Sequence, residues 1–381
     1  MKVRRGRKAD YRCAADKSRD HWIRAGVIAV LLSGCVADAS ISIGQSAAAS
    51  APTFEPVSPP PSIPRRHLPA PASLRAAVSS LGQNFNGTVG ISVRRGDAEL
   101  EVSHNGGMLM PQQSVSKLWV AMALLDAMDR GKLTLADKVT VRNDDLTLFH
   151  QPLAAMLKNG SYTTDAADLL HRAMTESDNT ANDALLRRVG GPQAVRGFLA
   201  RRFIRDVRFG PGERLLQSAA AGIEWDQSLA YGRNFYAARN RVPRAARERA
   251  LDAYLANPPD GAAASSITLA LSKLKMGEML SPASTDYLIA TMHEARTGPK
   301  RVKGGVPAGW SYCHKTGTGQ ELYPRSTGYN DVGIMTAPDG TSYAIAVMIQ
   351  STTVSIPERW ALMQGVSRAV AAAHDQSIAS R

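Results

Sequence analysis

The chain has 381 residues, 44% hydrophobic and 21% charged, as in ordinary soluble globular proteins of one large or two modest domains. Its net charge of +13 would suggest nucleic-acid binding, but nine basic and three acidic residues fall in the first 24, so this segment contributes +6. The remaining +7 is spread over many positions, and we expect no nucleic-acid partner.

Residues 1–35 have the pattern of an export signal, because a basic segment precedes AGVIAVLLSGCVADAS, an apolar run too short to span a bilayer. Leu32 to Cys35 resemble the lipobox of bacterial lipoproteins, in which the cysteine is acylated. An ordinary signal peptide cleaved within SAAAS is the alternative. Both interpretations predict a periplasmic or secreted protein, and the first adds a lipid anchor through Cys35, which would make it a membrane-anchored lipoprotein.

The proline-rich residues 36–72 predict an extended linker, and a folded domain is predicted over residues 73–377. The domain opens with SLRAAVSSLG, which has the period of an amphipathic helix. GTVGISVRR and AELEVSHN then alternate in polarity on either side of Gly96 and Asp97, which predicts a hairpin.

Helical patterns dominate the middle of the domain, from the helix that opens at Ser114 through TTDAADLLHRAMTES and NTANDALLRRVGG. After Arg301 the pattern returns to strands in WSYCHKTG, DVGIMTA and SYAIAVMIQ, the last two joined across PDG, and the chain closes with a helical period. We therefore predict an α/β (α+β) fold. It has an antiparallel sheet built from both termini, flanked by helices, with an inserted all-helical subdomain.

Ser114 and Lys117 lie three residues apart, so on a helix they occupy the same side one turn apart. A lysine amine whose charge is disfavoured can accept the serine proton and activate the hydroxyl as a nucleophile. By itself this pair has a second interpretation, a capped helix start with a solvated lysine.

Two further motifs favour a reaction site. SDN at residues 177–179 lies between two predicted helices, and KTG at 315–317 lies on a predicted strand and continues as KTGTG. Gly317 lets a substrate backbone come close to the strand. A helix cap and an edge strand entering a turn would explain each motif alone, but all three in this order indicate one shared site.

With these motifs the chain resembles the serine β-lactamase and penicillin-binding protein superfamily, and most closely the class A β-lactamases. The resemblance runs from about Ser73 to near the C-terminus and includes SDNTANDALL and GVPAGWSYCHKTGTG. It implies that Ser114 attacks the lactam carbonyl and that Lys117 helps to remove its proton. The backbone amides of Ser114 and Thr318 would form the oxyanion hole, and Ser177 would relay a proton to the lactam nitrogen.

The resemblance also assigns substrate contacts. Asn179 would bind the side-chain amide of the substrate, and Lys315 with Thr316 would hold its carboxylate. His150 stands where class A enzymes often have an aromatic gatekeeper, an exposed loop histidine being the alternative. Arg325, on the neighbouring strand, is a candidate contact for the substrate carboxylate, although a solvated arginine is the commoner outcome.

Hydrolysis, as opposed to lasting acylation, requires a base for water. In class A enzymes that base is a glutamate followed at the third and fourth positions by leucine and asparagine, and GPGERLLQ here offers Glu213, Leu216 and Gln217. Glutamine is one methylene longer than asparagine, so it can displace the water and slow deacylation. Glu224 is the competing base, and we favour Glu213.

Residues 223–264 are longer than the corresponding segment of typical class A members. A lid or wall of the substrate site is one interpretation of this insert. A helical hairpin packed on the surface is the other, and the one we prefer.

Cys313 is the one cysteine of the predicted domain, and we interpret it as a small packed residue. The 8 histidines show no paired helical spacing, so we expect neither a metal nor a cofactor. We expect a monomeric hydrolase that opens penicillins and cephalosporins. The alternatives are a DD-carboxypeptidase or other penicillin-binding enzyme, and a non-hydrolytic β-lactam sensor.

Overall fold

The computed structural model describes residues 68–379. The predicted signal segment with Cys35, and most of the predicted linker, lie outside these residues. Within the described part, no helix is long and apolar enough to cross a membrane. The first helix begins at Ala72, one residue before the predicted start of the folded domain.

Helices are found before, within and after the strand-forming segments. They are α1 (Ala72–Gln83), α2 (Lys117–Asp129), α3 (Ala166–His171), α4 (Asn179–Arg188), α5 (Gly191–Arg201), α6 (Glu213–Ala220), α7 (Asn234–Arg241), α8 (Arg244–Ala256), α9 (Ala264–Lys275), α10 (Pro282–His293) and α11 (Ile356–Ala379).

The strands fall mainly at the two ends of the described chain. They are β1 (Gly87–Arg95), β2 (Glu101–His104), β3 (Leu109–Pro111), β4 (Lys138–Arg142), β5 (Ser161–Asp165), β6 (Gly261–Ala263), β7 (Ser311–Gly317), β8 (Glu321–Leu322), β9 (Arg325–Thr336) and β10 (Ser342–Thr352).

The main sheet is antiparallel, in the order β2-β1-β10-β9-β7, with β8 paired to β9. Strand β1 therefore pairs with β10 from the far end of the chain, with Ile91 opposite Val347. The central strands are buried along nearly their whole length because helices cover both faces, which explains their continuous apolar sequence. The predicted fold and both predicted hairpins are confirmed.

Two apolar cores flank the sheet. On one face α1 and α11 pack against the sheet through residues such as Leu74 and Val366. On the other face lies the helical subdomain, with α2 at its centre. This helix is apolar on all sides because α4, α5 and α10 surround it.

The insert contains α7 and α8. Helix α8 packs on α6 through Leu251 and Tyr254. Helix α7 packs on the segment between β4 and β5, because Phe235 shares a small apolar cluster with Leu148 and Phe149.

Replacing Leu124, fully buried in α2, should be costly because the surrounding helices cannot collapse into the space. We expect Leu124→Ala to lower the free energy of unfolding by about 3 kcal/mol in urea titrations. The matched control is Ile378→Ala, since Ile378 is 48% exposed on α11 and its truncation should change stability by less than about 0.5 kcal/mol. Equal losses in the two variants would contradict the central position of α2.

Candidate active site

Ser114 lies in a short 3₁₀ turn, Gln113–Ser116, that leads directly into α2. Lys117 is the first residue of that helix, and its Nζ donates to Ser114 Oγ at 2.8 Å. The residue before the serine, Gln113, has a positive φ of 53°, a strained conformation that is typical of functional turns. Ser114 is partly exposed whereas Lys117 is buried, so the hydroxyl faces outwards with the amine behind it.

The Lys117 amine is held from three directions. Besides Ser114, it donates to Asn179 Oδ1 at 2.8 Å and forms an ion pair with the Glu213 carboxylate. Both carbonyl and carboxylate are themselves buried. The turn before α2 and the helices α4 and α6 thus converge on one ammonium group, and each brings a single partner to it.

The SDN motif is positioned by two local features. A π turn, Arg172–Glu176, follows α3 and ends at Ser177, which adopts the left-handed conformation with φ 63°. Asp178 caps α4 by accepting from the amides of Ala181 at 2.8 Å and Leu153 at 2.6 Å. Asn179 then begins α4, and its amide donates to the Leu148 carbonyl at 2.7 Å.

The KTG motif ends β7, as expected. Lys315 is fully buried, and its Nζ donates to Ser177 Oγ at 3.0 Å, so the second and third motifs meet directly. Burial lowers the pKa of Lys315, and the positive charge of Lys117 lowers it further. Gly317 must be a glycine because a Cβ there would lie 2.4 Å from the carbonyl oxygen of Gln112.

Glu213 is the first residue of α6 and is 4% exposed. Its backbone N–H donates to both carboxylate oxygens of Asp183 at 3.2 Å. Burial, together with the charge of Glu213, raises the pKa of Asp183 to about 6. The competing candidate Glu224 is exposed and does not line the site, so the structure places only one of the two glutamates, Glu213, beside Lys117.

Gln217 turns its amide towards Glu213. Its Nε2 donates to Gln113 Oε1 at 2.8 Å and lies 3.3 Å from Glu213 Oε2. Gln320 donates to the Gln217 carbonyl at 2.7 Å. The longer side chain therefore occupies space directly beside the carboxylate that a water molecule would have to approach.

A further series of hydrogen bonds, which the sequence did not predict, connects the insert to the turn Gln113–Ser116. Gln113 Nε2 donates to the Tyr254 hydroxyl at 2.6 Å, and that hydroxyl donates to Asp260 at 2.9 Å. Asp260 also accepts from the Gln113 backbone N–H at 2.9 Å. Because Tyr254 belongs to α8, an aromatic residue of the insert supports the residue adjacent to Ser114.

These groups open onto a cavity of about 510 Å³. Its lining residues are Ser114, Phe149, His150, Ser177, Asn179, Glu213, Gln217, Tyr236, Arg239, Thr297, Arg301, Thr316, Thr318, Gly319, Gln320 and Glu321. His150 is exposed at the rim, and its carbonyl accepts from the Asn179 amide at 2.9 Å. Tyr236 and Arg239 belong to α7, so our preference for a hairpin packed only on the surface was wrong for this helix.

The prediction that Arg325 reaches the substrate carboxylate was also wrong. Its guanidinium pairs with Asp252 of the insert at 2.7 Å and does not line the cavity. Arg301 lines the cavity instead, and it donates to Thr318 Oγ1 at 2.6 Å while stacking 3.8 Å above the Tyr329 ring. Arg301 lies in no motif, and no signal in the sequence distinguished it from other arginines.

Cys313 lies on β7 with its side chain buried in the core, and burial raises the pKa of its thiol to about 11. This environment agrees with a packed, unreactive residue. Among residues 68–379 no group of three or more His, Cys, Asp or Glu side chains could hold a metal ion.

A partly exposed serine beside a buried lysine, a second serine–lysine pair and a buried carboxylate are the groups that serine acyl-transfer chemistry requires. A model of the beta-lactamase enzyme family matches residues 73–374. The chain belongs to this family, and it is a class A serine β-lactamase.

Its curated relatives include the extended-spectrum beta-lactamase PER-1 of Pseudomonas aeruginosa, 28% identical over 77% of this chain and 85% of that protein. Beta-lactamase VEB-1 of the same species is 26% identical over 69% of this chain and 78% of that protein. Among solved structures, a beta-lactamase from Chitinophaga pinensis has a TM-score of 0.65 and 25% identity, covering 79% of this chain and 99% of its own.

The raised pKa of Asp183 has a consequence for stability. Because the folded state holds this proton more tightly than the unfolded state, the stabilisation it gives is complete below about pH 4 and lost as the pH rises through about 6. Relative to the parent, Asp183→Asn should therefore gain up to about 3 kcal/mol of unfolding free energy between pH 4 and pH 7 in urea titrations.

The control for this experiment is Asp137→Asn. Hydrogen bonds from Thr134 lower the pKa of Asp137, so its contribution has the opposite pH dependence. A stability difference between Asp183→Asn and the parent that stays constant with pH would show that the buried carboxyl is ionised like an ordinary one.

Proposed function

We propose that the protein hydrolyses penicillins and cephalosporins through an acyl-enzyme on Ser114, which is broken by water activated by Glu213. The observation that carries the proposal is the Lys117 amine, which contacts the Ser114 hydroxyl at 2.8 Å and pairs with Glu213. One group thereby connects the nucleophile of the first step with the base of the second.

In acylation, Ser114 Oγ attacks the lactam carbonyl carbon while its proton passes to the Lys117 and Glu213 pair. The backbone amides of Ser114 and Thr318 would stabilise the developing oxyanion. When the ring C–N bond breaks, Ser177 donates its proton to the nitrogen and is reprotonated by the neighbouring Lys315, 3.0 Å away. The proton that the Lys117 and Glu213 pair took from Ser114 then returns to Lys315 through solvent, which leaves Glu213 free to act as a base in the second step.

In deacylation, Glu213 takes a proton from a water molecule, whose oxygen attacks the ester carbonyl. The C–O bond to Ser114 then breaks, and the serine oxygen recovers the proton that Glu213 took from the water. Gln217 lies 3.3 Å from Glu213 Oε2, so this step is expected to be the slower one.

The cations at β7 suit the carboxylate next to the lactam ring. Lys315 and Arg301 are both buried at this wall, and Thr316 and Thr318 present hydroxyls beside them. Arg301 already donates to Thr318 Oγ1, so that hydroxyl can turn its own proton towards an anion. Arg301 therefore takes the role first assigned to Arg325.

The export pattern of residues 1–35 supports action outside the cytoplasm, in the periplasm or after secretion, with a lipid anchor if Cys35 is acylated. One relative, PER-1, is called an extended-spectrum beta-lactamase, and this name supports a broad range of β-lactam substrates. We propose that the enzyme acts as a monomer.

A penicillin-binding enzyme or sensor would need no base beside the acyl group. The buried Glu213, fixed by Asp183 and paired with Lys117, is the feature that favours hydrolysis over both alternatives.

The decisive variant is Glu213→Gln, which keeps the shape of the side chain and removes the base. With a chromogenic cephalosporin, steady-state turnover should fall on the order of 10³-fold, and intact-protein mass should show one lasting adduct. Glu224→Gln is the control, since Glu224 is exposed and away from the cavity. Undiminished turnover in Glu213→Gln would refute this deacylation mechanism.

Gln217→Asn should relieve the crowding beside Glu213, because it removes one methylene from the side chain. We expect deacylation to accelerate roughly tenfold with little change in acylation, as measured by stopped-flow absorbance and quenched mass spectrometry. Slower deacylation would show that the contacts of Gln217 with Gln113 and Glu213 position the water and do not displace it.

A further inference from the structure

Helix α7 of the insert bridges two walls of the cavity. Tyr236 packs edge-on against Phe149, with ring centroids 6.1 Å apart, at the wall that carries His150. One turn further on, Arg239 donates to the carbonyl of Glu321, which follows β7 at the opposite wall. The helix therefore lies across the part of the cavity between the SDN side and the end of the KTG strand.

The guanidinium of Arg239 has room for an anion. Among residues 68–379 it forms no ion pair, and its Nε is buried without a hydrogen-bond partner. Arg247 of α8 is close enough to lower the pKa of Arg239, although burial lowers it more. Two like charges close together in a partly desolvated place favour the binding of a negatively charged ligand.

The nearby carboxylate of Glu321 is directed elsewhere. It accepts from Ser326 Oγ at 2.6 Å, and Arg359 lies 3.8 Å from the same oxygen. Arg239 contacts only the main-chain carbonyl of this residue. The positive charge of Arg239 can therefore pair with an anionic group of a ligand that enters the cavity.

Arg239 is distinct from the cations that suit the ring carboxylate. Arg301 is fixed by the carbonyls of Gly317 at 2.8 Å on β7 and Asn330 at 2.6 Å on β9, and Lys315 of β7 donates to Ser177. Glu321 is three residues beyond Thr318, so the Arg239 contact lies at most roughly 11 Å along the chain from the oxyanion site. A single ligand of β-lactam size can reach both cationic positions.

We propose that Arg239 forms a second anion subsite in the roof of the cavity, which binds a carboxylate on the acylamino side chain of a β-lactam. The substrate class is therefore dianionic, with one carboxylate beside the lactam ring at Lys315 and Arg301 and the other at Arg239. This inference rests on the proposed β-lactam hydrolysis and specifies which substrates it favours.

The test compares two penicillins that differ by one group, benzylpenicillin and α-carboxybenzylpenicillin. The measured quantity is the ratio of kcat/KM for the carboxylated compound to kcat/KM for benzylpenicillin. In Arg239→Gln, which can still donate to the Glu321 carbonyl, this ratio should fall about tenfold. Arg239→Lys should retain part of the preference, and added salt should reduce the ratio in the parent enzyme more than in Arg239→Gln.

The matched control is Arg241→Gln, because Arg241 is an exposed arginine on the same helix and does not line the cavity. Its ratio should equal that of the parent. A ratio that is unchanged in Arg239→Gln would overturn the subsite, and so would an equal fall of both kcat/KM values, which would mean that α7 acts only as a wall.

Failure of the proposed hydrolysis would be visible separately. If the parent acylates without turnover, the same ratio of acylation rates, followed by intact-protein mass, decides the subsite. If neither penicillin forms an adduct, both the proposed reaction and the subsite are refuted.

Discussion

The buried ammonium of Lys117 is the constraint around which the active site is arranged. A charge withdrawn from water is tolerated only when opposite charge and hydrogen-bond acceptors surround it. Here the partners are Ser114, Asn179 and Glu213, which come from the turn before α2, from α4 and from α6. The helical subdomain must therefore pack in one arrangement, and this arrangement also presents the serine hydroxyl to the cavity.

The fold and much of the site could be predicted from the sequence because their signals are local. Ser114 and Lys117 are within one turn, and Ser177 and Asn179 within one helix start, so their spacing alone places them correctly. The central strands were recognisable because burial on both faces requires a continuous apolar run. The meeting of Lys315 with Ser177, 138 residues apart, followed from the order of the motifs and not from any local pattern.

The errors concern residues whose partners are distant and specific to this chain. The position of Arg325 beside the KTG strand predicted a contact with the substrate, but its guanidinium forms an ion pair with Asp252 of the insert at 2.7 Å. The position of Arg301 could not be predicted from the sequence, because it depends on the fold of the loop before β7, which brings the guanidinium to Thr318 Oγ1. The period of α7 predicted a helix correctly but could not show that Tyr236 and Arg239 face the cavity, since that depends on the tertiary docking of Phe235 beside Phe149.

The hydrogen bond between Tyr254 and Gln113 divides the insert into two parts with different freedom to vary in evolution. Helix α8 is hydrogen-bonded through Tyr254 to Gln113, the residue before Ser114. A substitution at Tyr254 would therefore disturb the turn that carries the serine. Helix α7 packs on Leu148 and Phe149 and lines the cavity, and within residues 68–379 it has no hydrogen bond to that turn. Substitutions on α7 can therefore change the cavity lining while α8 keeps the geometry of the serine turn constant. Substrate range can thus evolve separately from the reaction itself.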